Sequence, residues 1–336
     1  MDITRYLDAL VHREIEFRYR KHVCRFGLSQ ELFSSASVDA GTVLLLRTVG
    51  DLLRDTPPRH IFDLGCGSGT LGISLAVGSD ALLTASDRDA LAVWLTEENA
   101  RRNGICDAAI DVALDVPQRL RPEIGAGIEQ GTTGLPIDLA VSNLPAKAGE
   151  AVLREMIRAL PGAAPASHTA AAVIVLPLAD LLESELRAMD AATIASMRTS
   201  QHLAVIYQLT VLTEPEGVSG DEEWSDEELP GWYVRGRSAF GGPFGEYSLT
   251  AVHNVAEFNS LSYDTEIAFR MMKKWRPGGR ILFWGVGQGH LPVAATAGSS
   301  SGAGVFVADR DLLAVKATRF NLHRERHKIR IVAKAL

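Results

Sequence analysis

Residues 61–72 read Ile-Phe-Asp-Leu-Gly-Cys-Gly-Ser-Gly-Thr-Leu-Gly. The apolar start predicts a strand at 61–64, and the run from Leu71 predicts the opening of a helix at 71–76. Glycines are needed at a strand-to-helix turn when the backbone bends tightly and must come close to a ligand. A lone glycine pattern is weak evidence. Here a second feature stands at the right distance: Asp87 ends the next apolar run, 18 residues after Gly69. A carboxylate there can accept hydrogen bonds from both hydroxyls of a ribose.

Outward from this turn the chain alternates short apolar runs with helical stretches. Strands are predicted at 61–64, 82–86, 110–114, 139–142 and 173–177, with a helix at 90–103 and a closing strand pair at 194–198 and 204–212. Strands separated by helices imply right-handed βαβ units. The expected fold is α/β, a Rossmann-like doubly wound, mainly parallel sheet filling residues 1–213. Ahead of it, the stretch 4–25, rich in Arg13, Arg18, Arg20, Lys21 and Arg25, reads as part of a helical extension over 1–30. Its basic residues read as a solvated helix face, or else as a substrate-side patch.

Two ligand classes share the turn's geometry. Gly67-Ser-Gly69-Thr-Leu-Gly72 satisfies the dinucleotide pattern, in which a pyrophosphate sits on the helix N-terminus. Asp63, however, stands before the first glycine and would repel a pyrophosphate. An acid there suits a ligand bearing an ammonium and a sulfonium, so S-adenosyl-L-methionine (SAM) is favoured over NAD. Asp63, Gly65, Cys66, Gly67, Gly69 and Asp87 form the expected cofactor site. Asp115, at the end of the third strand, is a candidate to meet the adenine amino group. Cys66 reads as a small filler and not as a nucleophile.

The 336 residues, 46% hydrophobic and 22% charged, suit about two domains with a sizeable core. The longest apolar runs, such as 170–178, fall far short of the roughly 20 residues that span a bilayer. No secretory signal is visible in the charged stretch 1–20. Three cysteines (Cys24, Cys66 and Cys106) without paired spacing fit a reducing compartment. A cytoplasmic location without a membrane partner is therefore expected. The histidines are scattered without metal-ligand spacing, and no metal is expected. The net charge of −7 weighs mildly against a broad basic surface for nucleic acid. Eight acids and no bases fall between Glu214 and Pro230, so 214–235 reads as an acidic linker.

Beyond the linker the first half returns. Phe33-Ser-Ser-Ala-Ser-Val-Asp39 recurs as Phe258-Asn-Ser-Leu-Ser-Tyr-Asp264, and Gly65-Cys-Gly-Ser-Gly69 as Gly285-Val-Gly-Gln-Gly289. Asp87-Arg-Asp-Ala-Leu-Ala-Val93 recurs as Asp309-Arg-Asp-Leu-Leu-Ala-Val315, and Asn99 as Asn321. Residues 236–336 are thus expected to be a second, partial copy of the same fold. Phe283 and Trp284 stand where the first copy has Asp63 and Leu64, so this copy is read as degenerate and unable to hold SAM.

These residues resemble the class I SAM-dependent methyltransferases. Phe33-Ser34 with Asp39-Ala-Gly41-Thr42 and Leu44-Leu45 is similar to the entry segment of the methyltransferase small domain family. The resemblance spans roughly 28–212, with an echo in 236–336. It implies a transferase acting in rRNA processing, with tandem domains of which one is degenerate, and a guanine exocyclic amine as methyl acceptor. It also brings Phe33, Arg88 and Asn143 into the expected cofactor set. The family's substrate motif is Asn-Pro-Pro followed by an aromatic residue, or Asn-Pro-Pro-Ile-Arg-Ala-Gly in some members. This chain has Asn143-Leu144-Pro145-Ala146-Lys147-Ala148-Gly149, so Asn143, Leu144 and Pro145 are the expected catalytic residues. The Asn143 amide oxygen and the Leu144 carbonyl would accept the amine's hydrogens and aim its lone pair. Ala146 departs from the pattern and cannot stack on a base. A small-molecule or protein acceptor therefore stays open, as does a non-catalytic SAM- or RNA-binding scaffold. Nothing in the sequence bears on oligomeric state.

Overall fold

A computed structural model describes residues 8–55, 57–114, 116, 135–209, 229–275, 279–297, 304–324 and 331–335. The chain forms two compact units, one of Met1–Ala146 with Leu153–Val218 and the other of Lys147–Val152 with Ser219–Leu336.

The first unit runs β1 (Arg13–Tyr19), β2 (His22–Leu28), α1 (Ala40–Asp55), β3 (His60–Leu64), α2 (Thr70–Ser79), β4 (Leu82–Asp87), α3 (Ala90–Arg102), β5 (Ala109–Val112), β6 (Leu139–Asn143), α4 (Glu150–Ala159), β7 (Thr169–Val175), α5 (Ala179–Ala188), β8 (Ala192–Arg198) and β9 (His202–Gln208). Seven strands form one sheet in the order β5-β4-β3-β6-β7-β9-β8. All pairs are parallel except those of β9, which runs antiparallel to β7 and β8. The fold is therefore α/β and Rossmann-like. All five residues of β3 are buried, as a central parallel strand covered on both faces requires. Leu45, Leu46 and Val49 of α1 pack on Ile61, Val141, Val173 and Ile206. Strand order reverses between β3 and β6, and ligands of doubly wound sheets sit at the carboxyl ends of the strands at such a point.

Residues 13–28, expected within a helical extension, are not helical. Residues 13–28 form an antiparallel hairpin in which Tyr19 pairs with His22 across a two-residue turn. The reason is a period of two: Ile15 and Phe17 on β1 pack with Cys24, Phe26 and Leu28 on β2, while Glu14, Glu16, Arg18 and Arg25 are exposed. The basic residues that read as a helix face are the polar half of that alternation.

The second unit repeats the same order of elements. A hairpin of β10 (Val234–Gly242) and β11 (Gly245–Val252) precedes α6 (Tyr263–Trp275), β12 (Arg280–Trp284), α7 (His290–Ala297), β13 (Gly304–Asp309), α8 (Leu312–Arg324) and β14 (Ile331–Ala335). Its parallel sheet has the order β12-β13-β14, and Leu249, Phe269, Phe283, Val293 and Val305 fill its core. Most of the expected linker lies outside the described residues.

One buried asparagine ties each unit together in the same way. Asn99 accepts from the Gly27 N–H and donates to the carbonyls of Gly27 and Ser68. Asn321 accepts from the Thr250 N–H and donates to the carbonyls of Thr250 and Gln288. Each amide joins a hairpin strand to a glycine loop.

Candidate functional site

β3 ends where the backbone turns through Gly65 and Gly67, at φ +72° and +57°. A side chain is strained in that left-handed region, and nothing lies within 4 Å of where a Cβ would stand on either residue. The loop therefore offers bare backbone at the carboxyl end of β3. Gly69 closes the loop as the N-cap of α2.

Asp63 lies under this loop, 1% exposed. Its carboxylate accepts from the Gly72 N–H at 2.8 Å. A Cβ on Gly72 would come within 2.8 Å of that same oxygen, so glycine at 72 is what admits the carboxylate. The third glycine of the apparent dinucleotide pattern thus serves Asp63. Burial first, and then the nearby Asp87 carboxylate, pushes Asp63 up to about 7 against the pull of the Gly72 N–H.

Asp87 ends β4 and faces the loop. It accepts from the N–H groups of Gly67 and Asp89, both at 2.9 Å. Its pKa is raised, chiefly by burial, while those N–H groups and the positive charge of Arg88 act the other way. Two carboxylate oxygens offer about four acceptor positions, so Asp87 keeps capacity for ligand hydroxyls. Cys66 is buried, and Thr96 donates to its sulfur at 3.4 Å. Burial and the charges of Asp87 and Asp63 push the thiol up, which fits a neutral filler. Phe33 is 75% exposed, so its ring is not packed over the loop. Asp115 lies outside the described residues.

Asn143 is the last residue of β6. Its Nδ2 donates to Asp39 Oδ2 at 3.0 Å and to Thr42 Oγ1 at 3.1 Å. A carboxylate can only accept, which fixes which end of the amide faces Asp39 and leaves Oδ1 for another donor. Asp39 also accepts from the N–H groups of Gly41 and Thr42 at the start of α1, so its position is set by the helix. Leu144 is buried and donates its N–H to Val173. Pro145 is half-buried, whereas Ala146 and Lys147 are exposed.

A Cβ on Gly41 would lie 2.9 Å from Asp39 Oδ2 and 3.1 Å from His202 Cδ2. Glycine at 41 therefore lets the imidazole stand beside the Asp39 carboxylate. His202 also lines an open cavity of about 610 Å³ with Val175, Leu176, Pro177, Ser200 and Gln201. The structure thus gathers Asp63, the glycine loop and Asp87 around one turn, and fixes Asn143 through Asp39 and Thr42. Sequence reasoning gave no role to Asp39, Thr42, Gly72 or His202. For Asp39 the signal was its place as a helix N-cap.

In the second unit the turn keeps its scaffold. Gly287 N–H donates to Asp309, and Asp309 also accepts from Asp311. The pair under the loop is gone: Phe283 stands in place of Asp63, and Pro292, in place of Gly72, has no N–H to give. Donor and acceptor have been lost together.

Residues 24–166 match the family described as "Methyltransferase small domain". A stretch of 78 residues is 36% identical to ribosomal RNA small subunit methyltransferase C of Chromohalobacter salexigens, covering 23% of each chain. Another of 66 residues is 42% identical to a ribosomal protein L11 methyltransferase of Rhodopseudomonas palustris, covering 19% of this chain and 22% of that one. The chain thus spans less than a quarter of either relative's length. Among solved structures, the T. thermophilus 16S rRNA N2 methyltransferase in complex with AdoMet and guanosine superposes with a TM-score of 0.63, 17% identity, 97% of this chain and 75% of that one. At that identity the likeness is one of fold, and it extends over both units. Residues 24–166 of this chain, which include the glycine loop, Asp87 and Asn143, are similar to the methyltransferase small domain family.

Proposed function

We propose that residues 1–213 are a SAM-dependent N-methyltransferase domain acting on an amine of the translation machinery. The observation that carries this reading is the Asn143 amide, fixed by Asp39 and Thr42 at the end of β6 with Oδ1 left over. SAM, when bound, supplies an electrophilic methyl group on a sulfonium. The site fits it: the glycine loop presents bare backbone, Asp87 keeps lone pairs for ribose hydroxyls, and Asp63 places negative charge under the loop. Asn143 Oδ1 accepts an N–H of the acceptor amine and aims its lone pair. SAM held there would give its methyl group to that nitrogen with the thioether as leaving group, and the methylated nitrogen would shed its extra proton to solvent.

Two relatives bear on the acceptor: one is named for small subunit rRNA and one for ribosomal protein L11. We favour an RNA guanine amine, which the likeness to the T. thermophilus fold supports. Ala146, where the family has an aromatic residue or an isoleucine, favours a protein amine as the second reading, because no ring follows Pro145 to stack on a base. The second unit, 236–336, is read as a degenerate copy without a SAM site, supported by the joint loss of the Asp63 and Gly72 equivalents.

Calorimetric titration with SAM, on wild type and Asp87→Ala, tests the cofactor site. Micromolar binding lost in the variant is expected, and absence of binding to wild type would withdraw the enzyme reading. Transfer of labelled methyl groups from SAM to unmethylated 16S rRNA or to L11 then separates the two acceptors. Labelling of L11 alone would replace the favoured one.

A further inference from the structure

His202, the first residue of β9, is half-buried, and neither of its ring nitrogens bonds another of the described residues. Its backbone is pinned on both sides. The Thr199 hydroxyl accepts from the His202 N–H at 3.0 Å, the Thr199 N–H donates to the His202 carbonyl at 2.8 Å, and the Leu176 N–H donates to the Gln201 carbonyl at 2.7 Å. The ring lies on the face of the sheet that carries α1, in phase with Ala204 and Ile206, which pack there with Leu45 and Val49. Asn143 is on the same face, in phase with Leu139 and Val141. β7 lies between the two strands: its Val173 pairs with Asn143 and its Val175 with His202. Asp39, at the start of α1, reaches both. Its Oδ2 accepts from the Asn143 amide and from the N–H groups of Gly41 and Thr42. A point 2.9 Å from that oxygen, where a Cβ on Gly41 would stand, is 3.1 Å from His202 Cδ2 and 3.3 Å from His202 Nε2. Asp39 Oδ1 bonds none of the described residues. An imidazole, a carboxylate oxygen and an amide oxygen thus stand in a row with capacity to spare.

We propose that His202 determines which amine the site accepts. The proposal rests on the reading of residues 1–213 as an N-methyltransferase domain, and it specifies the edge that the acceptor must present: a carbonyl, a ring N–H and the amine, in that order, as guanine has them. His202 Nε2–H donates to the carbonyl, Asp39 Oδ1 accepts the ring N–H, and Asn143 Oδ1 accepts an amine hydrogen. Imidazole protonated on Nε2 and imidazolium can each make the first of these bonds. Adenine meets the same row with two mismatches. Its amine would face the imidazole donor, and its bare ring nitrogen would face the carboxylate. An alkyl amine of a protein side chain offers neither the carbonyl nor the ring N–H. The open cavity of about 610 Å³ that His202 lines gives the base a place. There Val175, Leu176 and Pro177 form an apolar wall for a flat ring, where no aromatic residue follows Pro145.

The experiment is titration of the full chain, saturated with S-adenosylhomocysteine, with guanosine, 6-thioguanosine and adenosine, followed by ligand-observed NMR. Wild type, His202→Ala and His202→Gln are compared. 6-Thioguanosine keeps the ring N–H and the amine and replaces only the carbonyl, by a weaker acceptor. Wild type is expected to bind guanosine roughly tenfold more tightly than 6-thioguanosine, and adenosine more weakly than either. His202→Ala is expected to bind guanosine and 6-thioguanosine alike, with SAM affinity unchanged. His202→Gln, whose amide can donate, is expected to recover part of the preference. Methyl transfer to RNA combined with a guanosine preference that is absent from wild type, or that survives in His202→Ala, would overturn the role of His202 and leave the enzyme reading standing. Transfer to L11 alone, with no guanosine bound, would overturn the acceptor class. Failure of wild type to bind SAM would remove the enzyme reading, and this assignment with it.

Discussion

Asp63 and Gly72 act as one device, and its titration is measurable. The Asp63 pKa, pushed up to about 7 by burial, stands above the roughly 3.9 of a free aspartate. The group's contribution to stability is therefore fully present below about pH 4 and is lost as pH rises through about 7. Asp63→Asn keeps an acceptor for the Gly72 N–H without that cost. The variant should melt a few degrees above wild type at pH 8, with the gap closing towards pH 4; a gap that ignores pH would remove the buried charge from the account. The same charge favours a cationic ligand. Affinity for SAM should fall about tenfold from pH 8 to pH 6 as Asp63 takes up its proton, and Asp63→Asn should lose that part of the slope. Asn143 poses a separate question, that of aim. Asp39→Ser keeps a good helix cap but is too short to hold the Asn143 amide. Its SAM affinity should match wild type while kcat falls at least about tenfold, or about 1.4 kcal/mol of lost alignment. A fall in SAM affinity with kcat preserved would place Asp39 in cofactor binding instead.

At the scale of elements, the sequence reveals what is local and periodic. β3, β4, β5 and β6 were legible because each is an apolar run bounded by turn residues, and the glycine loop because it joins strand to helix. The 13–28 hairpin was misread because five basic residues masked the alternation of Ile15, Phe17, Cys24, Phe26 and Leu28. Its turn at Arg20, φ 52°, lacks the glycine or asparagine that usually marks one. The contacts of Asp39 with Asn143 and near His202 could not be read, because those residues lie about 100 and 160 positions away and come together only at the carboxyl ends of the central parallel strands. Asn99 shows how such long-range joints can still be tested. It makes three buried hydrogen bonds to the hairpin and the loop, and Asn99→Ala would leave the Gly27 N–H and carbonyl without partners. A loss of about 3 kcal/mol is expected by denaturant unfolding, since each stranded buried group costs about 1–3 kcal/mol. A change under 1 kcal/mol would mean that water takes over the amide's work.

For the whole molecule, the question is how many cofactors two similar units hold. The second unit keeps the parts of the turn that shape it: left-handed Gly285, Gly287 and Gly289, the Asp309 acceptor and the Asn321 joint. These are scaffold, and their retention reports on folding. What differs lies under the loop, where Phe283 fills the place of a carboxylate and packs with Phe269 and Val293 in the core. A ring packed into the core supplies no negative charge under the loop, and Pro292 removes the N–H that a carboxylate would need. Restoring the aspartate alone would bury a charge without its donor, so the two positions must change together. The chain should therefore bind one SAM per polypeptide. Asp87→Ala should abolish that binding, and Asp309→Ala should leave both affinity and stoichiometry unchanged, although the two aspartates make the same backbone bonds. Two SAM per chain, or half-site binding in Asp309→Ala, would show that the carboxylate under the loop is dispensable. The account of Asp63 would then have to be given up with it.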